Sequence, residues 1–111
     1  MFFSHYNSHW EPVSSYQCVT GNIQIAMMWL KIAKYTGDDS LIPTATRFLS
    51  LIRNSMIDIK TKTKAVRGAI QGSFPIYGRY CPYAFPNWGA KFFIDASLLE
   101  LEAMRNKKVE D

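Results

Sequence analysis

From Ile23 to Ala33 only Gln24 and Lys31 interrupt a run of apolar residues, and their seven-residue spacing puts both on one narrow stripe of a helix. A helix that is apolar on nearly every other side has to be covered over most of its circumference, so this segment reads as an inner helix. Thr20-Gly21-Asn22 opens it, with Thr20 or Asn22 able to cap its unpaired N–H groups. Tyr35-Thr36-Gly37-Asp38-Asp39 ends it, with Gly37 where left-handed backbone closes a helix. Asp39 or Ser40 caps a second helix, in whose first turn Pro43 is tolerated. Leu41, Ala45, Phe48, Ile52 and Met56 recur at three- and four-residue steps, with Arg47, Ser50, Arg53 and Asn54 elsewhere. That pattern predicts an amphipathic outer helix packed on one side. Inner helix, short turn and outer helix make an αα-hairpin.

After Met56 the period changes. Ile57, Ile59, Thr61, Thr63 and Ala65 alternate with Asp58, Lys60, Lys62 and Lys64, which predicts a short extended or hairpin segment with its lysines in water. Its charges read as a solvated edge that discourages strand pairing. Gly68 to Trp88 then packs glycines, prolines, aromatics and Arg79 into a run with no helical or strand period. It is too apolar for a free linker and too rich in breakers for a regular element. An ordered loop that packs against something, or holds something, is the expectation. Asn87 caps a third helix reaching about Arg105, which Phe92, Phe93, Ile94, Ala96, Leu98, Leu99 and Leu101 make a second inner helix.

These signals give an all-α chain of one domain. Residues 1–19 form an irregular segment, 20–57 the αα-hairpin, 58–86 the loop or short β-hairpin insertion, 87–106 the last helix, and 107–111 a frayed tail. Asn22 and Asn87, at comparable helix starts, stand 65 residues apart, a weak internal repeat.

The length of 111 residues fits a single domain, and 48% hydrophobic with 20% charged residues argues for a folded chain. Aromatics reach 14% and concentrate between Phe2 and Tyr16 and between Phe74 and Phe93. The net charge of +4 comes from two clusters, Lys60, Lys62, Lys64 and Arg67, and Arg105, Lys107 and Lys108. A nucleic-acid binder carries a denser basic face, so no nucleic-acid partner is expected. Met1-Phe2-Phe3 leads straight into polar residues without a secretory pattern, and no apolar run approaches the ~20 residues of a spanning helix. The expectation is a cytoplasmic protein with no membrane partner, and with Cys18 and Cys81 reduced. Two unconnected thiols are the simpler reading of that pair, with a bridge or a shared site left open.

The Asn22 to Met56 hairpin with its Lys34-Tyr35-Thr36-Gly37-Asp38 turn resembles the hairpins of α/α-toroid proteins, among them six-hairpin glycosidases, terpenoid cyclases and protein prenyltransferases. The turn is similar to one common in carbohydrate-active toroids. Gln71-Gly72-Ser73-Phe74 looks like a degraded Gln/Asp-Gly-Ser-Trp element of terpenoid cyclases, lacking its acidic residue and its tryptophan. The resemblance covers roughly Gln17 to Met104. It implies the C-terminal arc of a toroid rather than a complete ring, since a ring holds many more helices. No aspartate-rich cyclase motif and no prenyltransferase zinc set is present. An isolated arc would expose the flanks of its inner helices, so self-association, or a missing N-terminal toroid segment, is expected.

In toroids of this kind the cavity lies where loops enter the inner helices. By that analogy Tyr77, Tyr80, Tyr83 and Trp88 could stack on sugar rings, and Gln17, Asn22, Gln71, Arg79, Asn87 and Lys91 could supply polar contacts. The alternative is that the loop only caps the helix ends, its aromatics forming a satellite core. Trp88, Lys91 and Asp95 share a helical face, which makes Asp95 the best carboxylate for acid–base work; a helix-face ion pair with Lys91 is the simpler role. A glycosidase needs two carboxylates, and Glu11 is the only other acid near the proposed mouth in sequence. Asp38 and Asp39 serve the turn, while Asp58, Glu100, Glu102, Glu110 and Asp111 fit solvent positions. His5, His9 and Glu11 are too weak a set for zinc, and the glycines match no phosphate-binding spacing, so neither metal nor cofactor is expected.

The leading functional expectation is a carbohydrate-related segment that binds, or helps process, a saccharide without catalysing alone. A non-catalytic helical assembly module is the alternative, and an isoprenoid pocket between apolar inner helices a third.

Overall fold

The computed structural model describes residues 1–55 and 68–110, with the backbone alone for the last four. Strand β1 (Gln17–Cys18) leads directly into helix α1 (Val19–Thr36), and a single 3-10 turn (Asp39–Leu41) connects to helix α2 (Ile42–Ser55). Strand β2 (Ser73–Phe74) lies in the aromatic loop, and helix α3 (Asn87–Glu110) follows it. The chain is mostly helical. The alternating segment from Ile57 to Ala65 lies outside the described residues.

Local signals explain the hairpin. Gly37 adopts φ 74°, and its N–H bonds the Ala33 carbonyl at 2.9 Å, closing α1. Asp38, rather than Asp39 or Ser40, is the next cap; its carboxylate accepts the Ser40 N–H at 3.0 Å, and the Ser40 side chain together with that N–H holds its carboxyl below the usual range. Pro43 sits in the first turn of α2, where its missing N–H costs nothing. At the other end of α1 the sequence expectation needs correction. The helix begins at Val19 with Cys18 as its cap, and Asn22 lies inside the helix, fully buried.

Val19, Ile23, Ala26 and Leu30 of α1 meet Ala45, Phe48, Leu49 and Ile52 of α2, with Ile70 and Ala96 completing the cluster. Leu49, absent from the predicted stripe, is as buried as its neighbours, because α2 is covered by more than one element. Trp29 meets Phe48 edge-on at 5.0 Å between ring centroids, and Phe2 lies against both rings. The N-terminal segment therefore covers the seam between α1 and α2. Its own turn is pinned by the Tyr6–Pro12 bridge.

Helix α3 lies beside α1 and runs parallel to it. Gly89 is close enough to Thr20 that an added Cβ would sit 3.3 Å from its hydroxyl, while Lys34 and Glu102 pair at 3.0 Å near the opposite ends. Helix α2 runs back antiparallel on one side of this pair, and Arg53 binds Glu100 at 3.2 Å while lying over the Phe93 ring. Glu100 is thus buried, not solvated as its sequence position suggested, since its face of α3 turns toward α2. Helix α3 also continues to Glu110, so the expected frayed tail is helical backbone.

Within the ordered aromatic loop one short segment becomes a strand. Strand β2 pairs antiparallel with β1, Gln17 facing Phe74 and Cys18 facing Ser73. The insertion is stitched to the start of α1.

Candidate functional site

The aromatic loop is held by backbone bonds and buried polar side chains. The Val19 N–H donates to the Gly72 carbonyl at 3.0 Å, and Gly72 N–H donates to Ala84 O at 3.0 Å. Gln71 is buried, and its amide donates to Ser73 O at 2.9 Å. The Ser73 hydroxyl, fully enclosed, donates to Tyr80 O. Inside the loop, Gly78 N–H bonds Pro75 O, Tyr83 N–H bonds Ile76 O, and Ala84 N–H bonds Cys81 O. The Phe74–Pro75 peptide is cis.

Two glycines let the loop close on itself. A Cβ on Gly72 would lie 2.7 Å from the Cys81 Cβ, and one on Gly78 would lie 2.6 Å from Ser73 Cβ and 2.7 Å from Tyr16 Cβ. Cys81 and Tyr83 take left-handed backbone, with φ 46° and 54°, which side-chain-bearing residues adopt at a cost of about 1–3 kcal/mol each. Neighbouring structure must hold them there.

What this anchored frame displays is aromatic. Phe74, Tyr77, Tyr83 and Trp88 are 47%, 64%, 71% and 45% exposed. The Trp88 indole N–H donates to the Tyr80 hydroxyl at 3.0 Å, which fixes the plane of the indole. Arg79 and Asn87 are exposed on the same loop and at the start of α3. Among the sequence-predicted ligand residues, Tyr80 and Trp88 are thus brought into contact.

Others have structural employment. Asn22 spends its whole amide on the backbone: its Oδ1 accepts Phe2 N–H at 2.8 Å, and its Nδ2 donates to Phe2 O and Cys18 O, both at 3.0 Å. It ties the N-terminal segment to α1. Gln17, the first residue of β1, keeps a buried Oε1 with no hydrogen-bond partner. Lys91 pairs with Asp95 at 2.7 Å and lies over the Phe92 ring. Glu11 accepts the Asn7 side-chain amide at 2.9 Å within the N-terminal turn. His5 and His9 lie in that same non-helical segment, and among the described residues no group of three His, Cys, Asp or Glu side chains could hold a metal ion.

Cys18, which the sequence offered with Cys81 for a bridge or shared site, caps α1, and Ser73 anchors the loop beside it. The Cys18 sulfur accepts the Gly21 N–H at 3.4 Å. Burial pushes its thiol above the ordinary value, the Gly21 bond opposes this, and the Cys81 thiol adds to the rise. A raised thiol pKa favours the protonated folded state, a contribution lost as pH climbs through the folded pKa. Iodoacetamide should therefore modify Cys18 more slowly at pH 8 than it modifies an unstructured cysteine peptide. Its rate should still be climbing with pH after the peptide's has levelled; mass-resolved alkylation rates that coincide with the peptide's would contradict this.

A separate cleft of about 200 Å³ opens at the far end of the parallel pair, between Leu30, Ala33 and Lys34 of α1 and Leu99, Glu102 and Ala103 of α3. None of the sequence-predicted site residues lines it. Among the described residues no helix is long and apolar enough to cross a membrane. No family profile, no curated protein and no solved structure matches this chain.

Proposed function

We propose that the chain is a saccharide-binding arc of an α/α toroid, binding through the loop from Gln71 to Trp88 without catalysing a reaction itself. The observation that carries this reading is the exposure of Phe74, Tyr77, Tyr83 and Trp88 on a backbone pinned by buried bonds and held left-handed at Cys81 and Tyr83. Strain of that kind persists only where the surroundings over-determine it, and it concentrates at functional sites. The C–H faces of a pyranose match an aromatic ring, and the Tyr80–Trp88 bond orients one such ring in advance. Arg79 and Asn87 offer donors to hydroxyl groups beside it.

The arc reading draws support from the parallel run of α1 and α3 with α2 antiparallel beside them, since an arc of hairpins would need neighbouring helices in those directions. The carboxylates support binding rather than catalysis, since Asp95 and Glu11 are engaged with Lys91 and Asn7.

Titration with an oligosaccharide panel should shift or quench tryptophan emission. Trp88→Ala should abolish the response, while Tyr77→Ala or Tyr83→Ala should weaken binding about 5- to 10-fold, the worth of one aromatic contact. No response across a broad panel would overturn the reading. So would a response that survives Trp88→Ala and is lost instead with Trp10 or Trp29.

A further inference from the structure

Given the saccharide reading of the aromatic loop, on which this step rests, we infer that the ligand is an acidic saccharide, its carboxylate or sulfate group received by Arg79 beside Trp88 and the start of α3. Charge along the chain is the first observation. No residue from Gly68 to Ile94 is acidic, and from Met1 to Gly37 the only acid is Glu11. Those two stretches supply the loop, strand β1, helix α1 and the first two turns of α3. Glu11 is itself taken by the Asn7 amide. The stretch from Gly68 to Ile94 holds two cations, Arg79 and Lys91. Lys91 pairs with Asp95 at 2.7 Å, whereas Arg79 is exposed and has no acidic partner among the described residues.

The backbone fixes where this free cation is rooted. On one side of Arg79 the Gly78 N–H donates to Pro75 O at 2.9 Å, and on the other the Tyr80 carbonyl accepts the buried Ser73 hydroxyl. Tyr80 also accepts the Trp88 indole N–H through its own hydroxyl, so Arg79 is one residue from the ring that orients the stacking surface. Helix ends add to the field. The first turns of α1 and α3 lie together, Thr20 against Gly89, so two helices present their partially positive ends on this side of the fold. Neither has an acidic residue in its first turn to offset that charge. Trp88 itself stands in the first turn of α3, where an anion on a stacked sugar would meet the helix end. A neutral sugar makes no use of an unpaired guanidinium or of these helix ends. A charged group beside the stacked ring uses both, and the planar fork of arginine can donate two parallel N–H bonds to its oxygens.

Matched ligand pairs test this on the full chain, with tryptophan emission as the readout. Uronate oligosaccharides of gluco, galacto and manno configuration are each titrated beside their neutral methyl esters, and an O-sulfated oligosaccharide beside its unsulfated form. At least one acid should bind roughly 10-fold tighter than its neutral counterpart at low salt, with the margin shrinking as salt is added. The pair that shows the margin tells a carboxylate ligand from a sulfated one. Arg79→Gln should bring the two members of that pair within about 2-fold of each other, and Arg79→Lys should keep part of the margin, because the charge survives without the fork. Equal binding within every pair, a response to neutral members alone, or a margin that survives Arg79→Gln overturns the inference and leaves the saccharide reading standing. If no oligosaccharide, acidic or neutral, perturbs the emission, the saccharide reading falls and this inference falls with it.

Discussion

Ile23→Ala should lower the unfolding free energy by about 3–4 kcal/mol, among the larger losses available to one substitution here. Ile23 has no exposed surface and lies in the α1 portion of the central cluster. Removing its outer carbons loses their transfer free energy and leaves a cavity whose cost depends on how far the neighbours can collapse. Collapse is restricted because Ala26, Ala45 and Ala96 contribute to the same cluster and have no side chain to swing into the space. For a domain of this size the loss corresponds to a melting temperature lower by roughly 15 °C. Thermal unfolding followed by circular dichroism reads it directly. A change under about 1 kcal/mol would mean that Ile23 is not at the centre of the core.

Gly78→Ala should be nearly as costly, at about 2–3 kcal/mol, but its damage should be local. The new Cβ would sit 2.6 Å from Ser73 Cβ and 2.7 Å from Tyr16 Cβ. Both obstacles are carbons attached directly to backbone, so no rotamer change moves them. The loop has to open, and the Ser73–Tyr80 and Gly78–Pro75 bonds go with it. Hydrogen exchange should accelerate at the amides of Gly72, Gly78 and Tyr83, while the α1 and α2 amides away from the loop keep their protection. Gly37→Ala is the contrasting case. Nothing lies within 4 Å of a Cβ there, and only the left-handed φ of 74° opposes the substitution, at about 1 kcal/mol. Equal losses at the two glycines, or loss of protection along α1, would refute the close-packed account of the loop.

Much of the frame was legible in the residues because its causes are local. Gly37 ends α1 through its own backbone freedom, Pro43 fits a first turn, and Lys91 and Asp95 pair because four residues bring them together on any helix. Burial of Ala45, Phe48 and Ile52 follows from their spacing. The candidate site was legible in outline only. The run of aromatics, prolines and glycines announced an ordered loop, but whether each ring faces solvent or core depends on what the loop packs against. Gln71 and Asn22 looked like ligand donors. Both are taken up by backbone atoms, Asn22 through Phe2, twenty residues away. Ser73 stood out in the sequence only as part of the Gln71-Gly72-Ser73-Phe74 resemblance, yet it is enclosed and bonded to Tyr80.

Helix existence, the turn chemistry and the division into one buried-type helix, one amphipathic helix and an aromatic loop were determined by the sequence alone, because each rests on neighbours within about two helical turns. Tertiary structure decided three further things. It paired β2 with β1 rather than with a strand next to it, so that the loop joins the start of α1. It turned Glu100 inward to Arg53. It also left Ile94, Leu98 and Leu101 in water on a helix whose composition asks for cover on most sides. Each outcome depends on contacts between segments far apart in the chain, and hydrophobic spacing carries no information about which distant surface will arrive to cover a given face.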